Sequence, residues 1–197
     1  MTFYCLSKFL FGLFAKIFLR LKVEGEENLP EEGGFILAAN HASSLDPFIV
    51  TAAIPRYIRW MVVYEYYDKW YLRRILRRMR FIRIENNLPK EVFRALKSGD
   101  IVGFFPEGRR SWDGRLGQAR SGVAALARAS SCPVIPVAIR GTFAALPRTR
   151  KFLKFSPVTV RIGAPLTFAK VANRKDRQRR DEENTGKIMD AIAKLLY

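Results

Sequence analysis

Residues 34–47 read GFILAANHASSLDP. Positions 35–39 are apolar without interruption, the pattern of a strand covered on both faces. The run stops at a polar turn. Pro47 then introduces a second apolar segment, as proline does in the first turn of a helix. A buried strand, a polar turn and a helix in that order make the first half of a βαβ unit. In open α/β sheets ligands gather beyond the carboxyl ends of the strands. A site is therefore expected at residues 40–47.

Outward from that stretch the same alternation recurs. Strands are expected at 34–39, 58–63, 80–84, 101–105, 134–139 and 158–162, and helices at 47–53, 66–79, 89–97, 117–129 and 183–196. The expected fold class is α/β: a mixed, largely parallel sheet flanked by helices. Within 134–139 Pro136 suggests an edge strand or a bulge. Residues 174–183, RKDRQRRDEE, read as an exposed turn or helix start with no specific job. The chain has 197 residues, 49% of them hydrophobic, which suits one domain with an appendage and excludes a disordered chain.

The appendage is residues 1–24, with the remaining domain at 25–197. Residues 3–21, FYCLSKFLFGLFAKIFLRL, form the most apolar stretch, but Lys8 and Lys16 interrupt it. No window of about 18 residues is free of charge, so a spanning helix is disfavoured. Nor does a charged segment precede the apolar run or a cleavage pattern follow it, as a secretory signal requires. Lys8, Gly12, Lys16 and Arg20 line up on one narrow stripe of a helix. The surrounding apolar surface suits an amphipathic helix lying in a membrane interface with its lysines raised to the headgroups. A helix buried against the domain is the alternative.

The charge balance is lopsided: 35 lysines and arginines against 18 acids, a formal +17. Such a charge speaks of partners rather than fold. Nucleic acid, anionic lipid and phosphorylated substrates all fit. No helix-turn-helix, zinc or RRM-like signature accompanies it. The basic residues share the chain with a lipid-like apolar segment, so an anionic membrane surface is expected and nucleic acid is not. Arg73, Arg74, Arg77 and Arg78 form one face of the 66–79 helix with no intervening acid. Like charges at that spacing repel, which again calls for an anionic partner. The two cysteines, Cys5 and Cys132, and the single histidine, His41, have no metal-ligand spacing. A reduced, cytosol-facing chain without a metal is expected.

Four constellations carry chemistry. His41 and Asp46 flank the first turn: a histidine there can act as a general base near neutral pH, and a carboxylate across the turn can fix its tautomer. Asp46 before Pro47 also reads as a helix N-cap, Ser43 and Ser44 compete for that role, and His41 also reads as a satisfied loop histidine. After the run IVGFF comes 105–111, FPEGRRS. Here Glu107, Gly108, Arg109, Arg110 and Ser111 assemble an acid, a conformationally free glycine and two phosphate-matching guanidiniums at a strand's end. A surface turn with Glu107 paired to arginine is the alternative. Arg83, inside an otherwise apolar strand, must emerge at an edge or meet a partner, and a phosphate is one such partner. The segment VIPV, 134–137, is structural by itself.

In this order the four segments resemble the glycerolipid acyltransferase family. Residues 40–46 match its NHxxxxD block, Arg83 its second block, FPEGRRS its FPEGTRS block and VIPV its fourth. The resemblance spans residues 40–139, about half the chain. It implies His41 as general base with Asp46 orienting it. It implies Glu107, Gly108 and Arg110 shaping the acceptor site, with Ser111 in the same block and Arg83 helping to bind phosphate. Arg109 stands where the family carries threonine, which adds charge beside the expected phosphate. The implied reaction moves an acyl chain from acyl-CoA or acyl-carrier protein to a lysophospholipid such as 1-acylglycerol-3-phosphate. It needs no cofactor beyond that donor and takes place at the cytoplasmic face of the cell membrane. Cys132, before Pro133 and without a second histidine in the chain, is a poor nucleophile.

Overall fold

The computed structural model describes residues 3–63, 65–84, 90–119, 122–169 and 173–197. Among them, seven strands form one sheet: β1 (Lys22–Glu24), β2 (Phe35–Ala39), β3 (Ile58–Val63), β4 (Ile82–Ile84), β5 (Ile101–Phe104), β6 (Val134–Arg140) and β7 (Thr159–Ile162). Their spatial order is β1-β7-β6-β2-β5-β3-β4. Every pairing is parallel except β6 with β7. The mixed, largely parallel α/β sheet is as expected.

Eight helices accompany it among the described residues: α1 (Phe3–Phe18), α2 (Asp46–Ala53), α3 (Glu65–Asp68), α4 (Trp70–Arg78), α5 (Lys90–Lys97), α6 (Val123–Ser130), α7 (Thr142–Ala145) and α8 (Arg174–Leu196). β2 sits at the centre, and all five of its residues are buried. Its alternation divides the core in two. Phe35, Leu37 and Ala39 pack on the side of α1 and α2, with Leu19, Ile49, Val50 and Trp60. Ile36 and Ala38 pack on the other side, with Val92, Leu96, Leu126, Ile188 and Ile192 from α5, α6 and α8.

Several expectations are corrected. Of the two readings of Pro136 the edge fails, because β6 is paired on both sides, and the bulge holds: Val137 pairs with Ile162 and Val134 with Leu166, so residues 163–165 face only 135–136. The strand tolerates it because the Pro136 carbonyl accepts from Gly163 N at 2.8 Å, just past Ile162, where β7 ends. A residue's N and C=O point the same way in a strand, so the missing N–H falls where no ladder partner is needed. The 66–79 helix is broken, with Lys69 in extended backbone between α3 and α4. α6 starts at Val123 and not at 117; Arg120 and Ser121 of that expected helix, and Pro89 of the 89–97 helix, lie outside the described residues. Residues 174–183 are the start of a helix, as one of their two readings had it, but they are not without a job: the Asn173 side chain caps α8 by accepting from Lys175 N, and Asp181 takes a two-pronged ion pair from Arg128 at 2.8 and 2.9 Å. β1 and α7 were not anticipated; three and four residues are too short to show a period.

The N-terminal segment is not a detached appendage. Lys22–Glu24 form an edge strand beside β7, and α1 lies on α2. The Tyr4 hydroxyl accepts from Ile58 N at 3.1 Å. Lys8, expected to rise to headgroups, points the other way. Its ammonium donates to the carbonyls of Ile54 and Pro55, both at 2.6 Å, at the carboxyl end of α2 where a cation is favoured. Burial pulls its pKa below that of an ordinary lysine. The helix thus docks through Tyr4, Lys8, Ala15 and Leu19. Phe9, Leu10, Leu13, Ile17 and Phe18 remain exposed.

One contact ties sheet packing to the turn after β2. Trp60 on β3 is in register with Gly103 on β5. A Cβ at Gly103 would lie 2.5 Å from the indole, so only glycine lets the ring lie across β5. The Trp60 indole N–H donates to Thr51 Oγ1 at 3.0 Å, and that hydroxyl donates to the Pro47 carbonyl at 2.6 Å. Gly103→Ala is expected to lower unfolding stability by about 1–3 kcal/mol through this overpacking, read as a shift of the urea midpoint at constant slope.

Candidate active site

The turn begins where the sheet stops. β2 and β6 pair as far as Ala39 and Val137. Asn40 then replaces the next rung with its side chain: Nδ2 donates to the Ile139 carbonyl at 3.0 Å, and Oδ1 accepts from Ile139 N at 2.7 Å. The buried ladder stays satisfied while the backbone turns away. This positions His41 over the end of the sheet.

Asp46 lies fully buried at the start of α2. Its Oδ2 accepts three N–H groups: His41 Nδ1 at 2.8 Å, Ala42 N at 2.7 Å and Ser43 N at 2.7 Å. The N-cap alternative does not hold. The cap position is Leu45, without a side-chain cap, and the amides on Asp46 belong to the turn upstream. Amide binding and service to His41 are therefore compatible, because one oxygen gathers the ring and its own turn. Oδ1 is buried without a hydrogen-bond partner among the described residues. An oxygen that only accepts puts the Nδ1 proton on the ring, and leaves Nε2 as the basic nitrogen.

The ring is also held by stacking. Phe105 lies parallel to His41 with centroids 4.0 Å apart, and Trp60 stacks on the far side of Phe105 at 4.7 Å. The His41 side chain keeps 17% exposure, so the imidazole is fixed yet reachable.

The second loop grips the first. Glu107 Oε1 accepts from His41 N at 2.7 Å, and Ser111 N donates to the His41 carbonyl at 2.7 Å. Glu107 Oε2 accepts from Gly117 N at 2.8 Å. Both oxygens of Glu107 thus serve backbone amides, and no arginine among the described residues pairs with it. A Cβ at Gly117 would come within 2.8 Å of that carboxylate, so the approach needs glycine. It also explains why 117–119 do not join α6. Burial raises the Glu107 pKa above the ordinary range, outweighing the two amide bonds that lower it.

Gly108 has φ +66, and its N–H donates to the Phe105 carbonyl at 3.0 Å, closing the turn in a left-handed conformation that favours glycine. Arg109 is exposed and Arg110 half-buried beyond it. The Ser111 hydroxyl donates to Asp113 Oδ1 at 2.9 Å and accepts from Gly114 N at 3.0 Å. Arg83 is exposed on β4, the edge strand, which meets the edge expectation. Three strand spacings separate β4 from β2, roughly 14 Å, so the structure does not bring Arg83 to His41. The sequence left no role for Asn40, Phe105, Trp60 or Gly117. The legible signals were an aromatic at a strand's last position and an isolated glycine past a loop. Among the described residues no cluster of His, Cys, Asp and Glu could hold a metal ion.

A histidine oriented by a buried carboxylate at the end of a central strand is an arrangement that can serve acid–base chemistry in an α/β fold. The chain belongs to the glycerolipid acyltransferase family and is an O-acyltransferase: the family model described as Acyltransferase matches residues 20–140. It is 28% identical over 166 residues to the 1-acyl-sn-glycerol-3-phosphate acyltransferase of Bacillus subtilis, covering 81% of this chain and 80% of that one. It is 30% identical over 156 residues to the enzyme of the same name from Limnanthes douglasii, covering 74% of this chain and 54% of that longer one. The crystal structure of the 1-acyl-sn-glycerophosphate (LPA) acyltransferase PlsC from Thermotoga maritima has the same fold. Its TM-score is 0.75 at 24% identity, covering 95% of this chain and 78% of that one.

Glu107→Gln replaces an acceptor pair by one acceptor and one donor, and so leaves a backbone amide unpaired. A loss of about 1–3 kcal/mol in urea unfolding is expected. Arg109→Ala, on the exposed side of the same turn, should stay within about 0.5 kcal/mol.

Proposed function

We propose that the protein transfers a fatty acyl chain from a thioester, acyl-CoA or acyl-carrier protein, to the free hydroxyl of 1-acylglycerol-3-phosphate or a related lysophospholipid, forming phosphatidate or its analogue. The observation that carries this reading is the 2.8 Å bond from His41 Nδ1 to buried Asp46, with Nε2 left as the base. The names of the relatives support the acceptor.

In the reaction, His41 Nε2 takes the proton of the acceptor hydroxyl as its oxygen attacks the thioester carbonyl. The carbon–sulfur bond breaks, the ester forms, and the imidazolium returns the proton to the leaving thiolate. Asp46 stabilises the imidazolium between those steps. Phe105 and the Glu107 clamp hold the ring so that little reorganisation is needed. Base catalysis of this kind is worth roughly 10²–10⁴-fold. Arg109, Arg110 and, at the sheet edge, Arg83 supply charge for the acceptor phosphate. No cofactor beyond the donor enters this reading.

The acceptor is a lipid, and the chain is built to meet it at a surface. No helix among the described residues is long and apolar enough to cross a membrane. α1 instead lies along the domain with its aromatic and aliphatic face outward, on the His41 side of the sheet. We read it as an interfacial helix on the cytoplasmic leaflet, with Lys8 serving the domain and the apolar face serving the lipid.

Purified His41→Ala and Asp46→Ala, assayed with lysophosphatidate and labelled acyl-CoA or acyl-carrier protein, should lose about 10²-fold or more in kcat while remaining folded by circular dichroism. Wild-type rates in both would remove the proposal. A mixed panel of lyso-acceptors followed by mass spectrometry of the products identifies the preferred one. Leu10→Glu with Leu13→Glu, both exposed on α1, should strongly weaken sedimentation with vesicles and leave the thermal midpoint unchanged.

A further inference from the structure

Between Gly114 and Lys175 the chain contains no aspartate or glutamate. In the middle of that stretch lies the loop 147–155, PRTRKFLKF, between α7 and β7. Phe152 and Phe155 are 81% and 77% exposed, and Leu153 is exposed beside them. Arg148, Lys151 and Lys154 are exposed around them. Large apolar rings interleaved with cations, with no carboxylate nearby in sequence, form an unusual surface for water alone.

The loop is anchored at both ends. Lys154 N donates to the Ala145 carbonyl at 2.8 Å, and Arg150 N to the Pro147 carbonyl at 3.2 Å. On one side Phe155 packs against Phe18 of α1, with centroids 5.5 Å apart, and Val158 N donates to the Leu19 carbonyl at 2.8 Å. On the other side the Ser43 hydroxyl, within the His41–Asp46 turn, donates to the Leu146 carbonyl at 2.7 Å. Arg148 lies 4.1 Å over the ring of Trp112, next to the FPEGRRS loop. The loop therefore joins the apolar face of α1 to the edge of the active site.

We propose that residues 147–155 are a second membrane-contact element, which buries Phe152 and Phe155 in an anionic bilayer alongside α1 and holds the His41 site against the lipid surface. This rests on the reading of α1 as an interfacial helix. Two arguments select a bilayer as the occupant. The apolar strip continues from the loop along α1, a one-sided length of about 24 Å, which suits an extended plane. The lysine stems next to the phenylalanines can lie along acyl chains while their ammonium groups reach anionic headgroups.

The test uses the full-length protein and two variants, Phe152→Ser with Phe155→Ser, and Lys151→Glu with Lys154→Glu. Vesicles are phosphatidylcholine with or without phosphatidylglycerol. Both variants should bind the mixed vesicles at least about tenfold more weakly than wild type, with unchanged thermal midpoints. Turnover of bilayer-embedded lysophosphatidate should fall in parallel, while turnover of detergent-dispersed lysophosphatidate should not. If wild type transfers no acyl group yet the variants still lose vesicle binding, the reaction proposal fails and the membrane element stands. Wild-type binding by both variants overturns it. Unchanged vesicle binding with turnover lost only on acyl-carrier protein also overturns it, and assigns the loop to that acidic partner.

Discussion

One carboxylate oxygen organises the centre of this protein. Asp46 Oδ2 accepts the His41 ring and two amides of the same turn, in a position with no exposure to water. A buried carboxylate is tolerated only when donors surround it, and here the donors are the groups whose placement matters chemically. The backbone between residues 41 and 46 must curl around this oxygen, so turn shape and ring orientation are set by one requirement. The rest of the site maintains that arrangement. Asn40 completes the ladder to β6, Glu107 and Ser111 hold the His41 main chain from both sides, and Phe105 and Trp60 fill the space beside the ring.

The sheet gives this arrangement its direction. Its two faces are covered differently: α5, α6 and α8 close one side, α1 and α2 the other. The His41 ring stacks into the second side through Phe105. That side also carries the exposed residues of α1 and, through Phe18 and Phe155, the basic loop before β7. The histidine proposed as the base is thereby placed near the apolar surface. The positive charge of +17 is spread over a chain whose acids are largely absent from the segment next to that surface. The same charge that leaves nucleic acid open on composition alone takes on a specific geometry once these elements are packed.

The central strand, the turn after it and the loop after β5 were legible because each leaves a strong local mark: an uninterrupted apolar run, a proline at a helix start, a glycine between charges. β3 was placed to its residue limits by its run of large apolar residues around Arg59. Short or broken elements were not legible. β1 spans three residues with charge on both sides of Val23, and α3 and α4 share one helical period across the extended Lys69. Pro136 left edge and bulge open because a missing N–H marks either, and only the register of the segment after β7 selects the bulge.

What the sequence determined by itself, then, was the alternation of elements and the placing of polar turns at strand ends, with His41 and Asp46 offered as a pair beside other readings. These depend on periodicity and spacing within a few residues. The tertiary structure alone decided that Glu107 grips the His41 backbone from another loop, that Trp60 and Phe105 support the ring, and that Lys8 faces the domain while the apolar face of α1 turns outward. Each of these joins residues far apart in the chain. A sequence period places a side chain on a face of its own helix or strand, but which face meets a neighbour is settled only when both are packed.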